Sequence, residues 1–169
     1  MEVYHKIHCA NCSHSYFYKW IYIMNVVNQS EDINVDISLI FSLINDVDRY
    51  SSFLPWCSNS SILSDSSSEM TAEIEISGKP IKWKFKTKNN YKINEIIKIQ
   101  LVEGPFKNLE GYWKFHSLDE NNTNVSLFLE YEFDSKIIEL SLKPIFAGIM
   151  SSILDSFISE AFRLKNEKQ

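Results

Sequence analysis

IIELSLKPIFAGIMSSILDSFISEAFRLK, residues 137–165, is the stretch on which the fold turns. Phe146, Ile149, Met150, Ile153, Leu154, Phe157, Ile158, Ala161 and Phe162 recur at steps of three and four, while Ser151, Ser152, Asp155, Ser159 and Glu160 fall elsewhere. That spacing predicts a long helix with a wide apolar stripe. The stripe needs a partner, and the residues before it supply a sheet. Either the helix seats on a filled core or it closes over a cavity. Pro144 lacks an N–H and its ring clashes with the preceding turn, so a short helical piece at 137–142 and a main helix from about Lys143 are expected.

The segments upstream read as strands. Met70, Ala72, Ile74 and Ile76 alternate with Thr71, Glu73, Glu75 and Ser77. After a turn at Gly78-Lys-Pro80, Ile81, Trp83, Phe85 and Thr87 alternate with Lys82, Lys84, Lys86 and Lys88. This is a hairpin with one apolar face, and opposed Glu and Lys on the other face favour its register. Further strands are predicted at Glu95–Val102, Leu109–Ser117 and Thr123–Phe133, separated by Gly104-Pro105 and Asp119–Asn122. Before the hairpin come a short strand at Val26–Ile33, a helix capped by Asp36 and carrying Ile37, Ile40, Phe41 and Ile44, and a strand from Ser58 that runs into a Ser-rich turn. Between these lies an aromatic loop or short helix at Tyr50–Cys57, broken at Leu54 because Pro55 disfavours helical geometry in the residue before it. An antiparallel meander, short helices after its first strand and one long terminal helix make an α+β arrangement in which the sheet grips the helix.

At 169 residues, 44% of them hydrophobic and 14% aromatic, the chain suits one domain with a substantial core. A net charge of −5 argues against DNA or RNA binding by overall charge. Cys9, Cys12 and Cys57 form no disulfide framework and point to a reducing compartment, and no run of eighteen apolar residues occurs. Residues 1–23 lack the periodicity of the rest and read as an extension to a domain at 24–169; translation starting at Met24 is the alternative. His8, Cys9, Cys12 and His14 carry zinc-type donors, but no second ligand pair accompanies them and no metal site is assigned.

Three motifs carry a family resemblance: Ile44-Asn-Asp-Val-Asp-Arg-Tyr50 leading to Phe53-Leu-Pro-Trp-Cys57; Val102-Glu-Gly-Pro-Phe-Lys-Asn-Leu-Glu-Gly-Tyr-Trp-Lys-Phe115; and Tyr131-Glu-Phe-Asp-Ser135 running into the terminal helix. In this order they resemble the START-like coenzyme Q-binding proteins and their bacterial relatives, the ribosome association toxins, over residues 26–165. The resemblance implies a helix-grip fold with a cavity between sheet and terminal helix. It implies no catalysis and no required cofactor, with ubiquinone or a similar polyisoprenoid lipid as bound ligand. Pro55-Trp56-Cys57 is similar to the quinone-binding branch, whereas Gly104–Lys107 with Trp113–Phe115 looks like the bacterial branch, whose partner is a ribosomal subunit. The expected location is cytoplasmic, or peripheral on a respiratory membrane: the inner face in a bacterium, the mitochondrial inner membrane in a eukaryote.

If the helix closes over a cavity, its walls come from Trp83, Phe85, Trp113, Phe115, Leu129 and Tyr131 with Phe146, Met150 and Phe157, because flat aromatics and a flexible Met suit a quinone head and an isoprenoid tail. Phe53, Leu54 and Trp56 are expected at its mouth, exposed toward a membrane. Lys82, Lys84, Lys86 and Lys88 form a basic stripe that is either a solvated face or a contact for anionic lipid or ribosomal RNA. No Gly-rich phosphate loop, HExxH, G-x-S-x-G or paired-carboxylate signature is present. His116 falls on the polar face of a strand, and Cys57 reads as a small packed thiol.

Overall fold

The computed structural model describes residues 24–78 and 81–167. The extension at 1–23 with its His and Cys residues, and Lys79-Pro80 of the hairpin turn, lie outside the described residues. The chain runs β1 (Asn25–Ile33), α1 (Ile37–Asn45), a 3₁₀ turn (Val47–Arg49), α2 (Tyr50–Phe53), β2 (Cys57–Asp65), β3 (Glu69–Gly78), β4 (Ile81–Lys92), β5 (Ile96–Glu103), β6 (Phe106–Ser117), β7 (Thr123–Phe133) and α3 (Lys136–Glu167). All seven strands form one antiparallel sheet in the order β1-β7-β6-β5-β4-β3-β2. Sequential hairpins build β2 to β7, and β1 returns to close the far edge against β7.

Alternation settles which face is inside. Along β7 every second residue from Thr123 to Phe133 is buried, and the residues between are half-buried. Register shifts at Cys57/Asn59, Ile62/Ser64, Lys86/Thr87 and Phe106/Asn108 bend their strands, as β-bulges do, and the sheet curves around α3. Gly104, at φ 152°, turns the chain from β5 into β6, and a Cβ there would lie 2.5 Å from Phe85 Cβ.

Asp36 caps α1 as expected, its carboxylate accepting from the Ser38 and Leu39 amides at 2.9 and 3.3 Å. α1 buries Ile40, Phe41, Leu43 and Ile44, and Phe41 meets Phe115 edge-on at 5.4 Å. α2 stops at Leu54, ahead of Pro55.

α3 corrects the expected break: it is one helix with Pro144 inside it. The carbonyl that loses its donor belongs to Leu140, 71% exposed, where solvent can supply the missing bond. The turns before Pro144 are held independently. Leu142 is fully buried, Glu139 pairs with Lys136 at 2.8 Å and Lys143 at 3.1 Å, and Ser135 Oγ accepts from the Ile138 amide. By length and composition α3 could cross a bilayer, but its stripe of Leu142, Phe146, Ile149, Met150, Leu154, Phe157 and Ala161 is buried within the domain.

Candidate functional site: an apolar cavity under the terminal helix

Between α3 and the concave face of the sheet lies a partly open cavity of ≈ 80 Å³. By the measure in which one water needs about 10–15 Å³, this is space for on the order of six waters. α3 lines it with Phe146, Ile149, Met150, Ile153 and Phe157. The sheet contributes Ile74 and Ile76 from β3, Phe85, Thr87 and Asn89 from β4, Ile97 and Ile99 from β5, Leu109 and Trp113 from β6, and Leu127 and Leu129 from β7. Ile44, Val47, Tyr50 and Trp56, from the segment between β1 and β2, complete it. The helix also touches the sheet beside the cavity: Phe146 meets Tyr131 with ring centroids 4.7 Å apart. α3 is thus both packed core and lid.

Of the residues expected to wall a cavity, Phe85, Trp113, Leu129, Phe146, Met150 and Phe157 line this one, as does Trp56. The rest are placed elsewhere. Phe115 fills the α1 end of the sheet against Phe41, Tyr131 packs among Phe106, Phe133 and Phe146, and Trp83 is half-buried against the core. The expected mouth is corrected: Leu54 is 2% exposed and belongs to the core, while Phe53 is half-buried, edge-on to Tyr50 at 6.0 Å and Phe157 at 5.4 Å. Phe53 and Leu54 thus pack against the domain, Phe53 on the Phe157 ring of α3, and Trp56 is half-buried at the cavity. Thr87 was legible only as the last inward member of the β4 alternation, and Ile149 and Ile153 as members of the helical stripe; Asn89 was missed, although it continues the inward phase of β4.

Among the residues lining the cavity the one that titrates is Tyr50, whose hydroxyl donates to the Ile44 carbonyl; burial, reinforced by nearby Asp46, pushes the phenol far above its ordinary pKa. Tyr131, beside the cavity, is pushed up to about 12 by burial. Both phenols therefore stay protonated and neutral near pH 7. Cys57 is buried, its thiol donates to the Asn59 carbonyl at 3.3 Å, and burial raises its pKa, which leaves it a packing residue. His116 is exposed.

The basic stripe is a ladder of ion pairs. Lys82 meets Glu75 at 2.8 Å, Lys84 meets Glu73 at 3.1 Å, Lys86 meets Glu103 at 2.7 Å and Lys88 meets Glu69 at 2.8 Å. Hydrogen bonds from Lys82 and Ser58 hold the Glu75 carboxyl below its usual range. A face so neutralised offers a polyanion little net attraction.

A family profile described as polyketide cyclase/dehydrase and lipid transport matches residues 33–158. The chain is 39% identical over 144 residues to the ribosome association toxin RatA of Vibrio cholerae, covering 85% of this chain and all of that one. It is 28% identical over 132 residues to the mitochondrial coenzyme Q-binding protein COQ10 of Dictyostelium discoideum, covering 76% of this chain and 64% of that one. In fold it is similar to the ZhuI aromatase/cyclase of a Streptomyces strain, with a TM-score of 0.73 at 15% identity over 83% of this chain and 94% of that one. Profile, relatives and the helix gripped by its sheet agree: the chain belongs to the polyketide cyclase/dehydrase and lipid-transport family.

Proposed function

We propose that this protein is a non-enzymatic carrier of an apolar, ring-bearing lipid of the ubiquinone class, held with its ring in the cavity under α3. The observation that carries this reading is the cavity itself, walled by Phe85, Trp113, Phe146 and Phe157 and lacking an acid or base that works near neutral pH. The similarity to a protein named as coenzyme Q-binding supports it. Space for about six waters takes a ring and not a polyisoprenoid tail, so loading requires α3 to shift outward and let the tail pass beside it.

A second reading, association with a ribosomal subunit, is favoured by the relatives named as ribosome association toxins, one of them matched over its whole length. The paired lysines of β4 weigh against contact through that face. Lipid extraction of the purified protein followed by mass spectrometry separates the two. A stoichiometric quinone supports the carrier. An empty protein that co-sediments with one ribosomal subunit overturns it in favour of the second reading.

A further inference from the structure

The inward face of β4 changes character halfway along. Trp83 and Phe85 are followed by Thr87 and Asn89, 4% and 8% exposed, and the unbroken β3–β4 register keeps all four on one face. Thr87 lies between Ala72 and Leu101, and Asn89 between Met70 and Ile99, so both polar side chains stand among hydrocarbon neighbours. Both line the cavity. A valine or isoleucine would fill either position at lower cost, because a buried polar group without a partner is disfavoured. The protein itself does little to offset that cost. Asn89 Oδ1 is buried with no hydrogen bond. The phenol of Tyr91, next on the same face, is bonded to Asp65 and the Ser66 carbonyl, and the Tyr50 hydroxyl is bonded to the Ile44 carbonyl.

Thr87 and Asn89 are neighbours on one face of a regular strand, about 7 Å apart. A hydroxyl and a carboxamide can each both donate and accept. We infer that these two residues form the subsite for the oxygen substituent of the bound ring, a carbonyl or a hydroxyl, so that the ligand lies with its oxygen on the β4 floor of the cavity and its hydrocarbon edge under α3. The two side chains then discriminate an oxygenated ring from a plain hydrocarbon of the same shape. A second unbonded polar atom in the wall, Trp56 Nε1, belongs to another part of the site. The Trp56 carbonyl accepts from the Ser77 amide at 3.0 Å, and the adjacent Ile76 pairs with Trp83, six residues before Asn89 along β4. This rests on the cavity being the ligand site and adds how the ring is oriented and which side chains recognise it.

Equilibrium dialysis of the purified full chain tests it with two pairs of probes: p-cresol and p-xylene, which differ by hydroxyl against methyl, and duroquinone and durene, which differ by two ring carbonyls. The expected result is that the p-cresol to p-xylene affinity ratio falls about tenfold from its wild-type value in Thr87→Val and in Asn89→Leu, that duroquinone falls likewise against durene, and that neither ratio moves in Trp56→Phe. Retained p-xylene binding identifies a variant whose cavity has survived the substitution, and that variant decides. If neither β4 variant survives, infrared spectra of the wild type and of Trp56→Phe decide: in both, the C=O stretch of bound duroquinone is expected below its frequency in hexane. Ratios unchanged in the surviving β4 variants overturn the inference and leave the carrier reading standing, since the rings still bind. So does a ratio that falls in Trp56→Phe alone, or a C=O stretch unshifted from hexane. Wild-type protein that binds none of the four probes overturns both.

Discussion

Trp113 on β6 and Phe157 on α3 meet edge to face with ring centroids 5.4 Å apart, and the same two side chains border the cavity. One contact therefore seats the helix and shapes the space beneath it. Phe157 also takes Tyr50 edge-on at 5.1 Å, which ties α2 to the same point.

Phe157→Ala removes a ring that is 1% exposed and opens the existing cavity further. The expected loss of stability is about 3–5 kcal/mol. Urea unfolding followed by tryptophan fluorescence measures it, and a loss below about 1 kcal/mol would show that α3 is not seated through this residue.

Gly111 is required by strand packing. A Cβ there would lie 2.1 Å from the Phe128 carbonyl oxygen and 2.8 Å from Leu129 Cα, both backbone atoms of β7 that cannot swing aside. Gly111→Ala should cost about 1–3 kcal/mol or more, as overpacking does, and weaken amide-exchange protection along β6 and β7.

Glu160, 7% exposed, joins α3 to the 3₁₀ turn: its carboxylate accepts from Arg163 at 2.7 Å and from Arg49 at 3.2 Å. The Arg163 hydrogen bonds, with the nearby charges of Arg163 and Arg49, hold its pKa below the ordinary value despite burial. A depressed carboxylate stabilises fully above its unfolded pKa of about 4.3, and that stabilisation disappears as pH falls through the folded value. Glu160→Gln should therefore cost on the order of 1 kcal/mol at pH 7 and progressively less below pH 4. Thermal unfolding from pH 7 to pH 2 checks this; a wild-type to variant gap constant across that range contradicts it.

Pro144 leaves one bond missing in the middle of α3 at an exposed position. Pro144→Ala restores the donor and should stabilise the chain by about 1–3 kcal/mol, read as a shift of the urea midpoint. Because the carrier reading needs α3 to move, the same variant should slow ligand entry in stopped-flow fluorescence.

How much of this was legible follows from what periodicity encodes. β7 was plain because eleven residues alternate without a break, and α1 because Asp36 stands one residue before its apolar run. Periodicity reports a face and not a depth. Phe115 and Trp113 are both inward on β6, yet one is stopped by Phe41 of α1 while the other reaches the cavity. Asn89 escaped notice because the alternation was followed only as far as Lys88, although the inward phase of Trp83, Phe85 and Thr87 continues through it. The continuity of α3 through Pro144 depended on burial of Leu142 against the rest of the fold, which local propensity does not contain.

The pairing of β1 with β7 has a consequence for synthesis. Ile33 lies opposite Thr123 and Asn25 opposite Tyr131, so β1 waits for about ninety residues before its partner strand exists. The β2–β6 meander can form locally in the meantime, each hairpin closing a short loop. Most of its inward face, apart from the end that Phe41 of α1 covers, stays bare until α3, the final element among the described residues, arrives. A nascent chain stalled after β7 would thus present a nearly complete sheet with a wet apolar face, the state in which this protein most needs a chaperone.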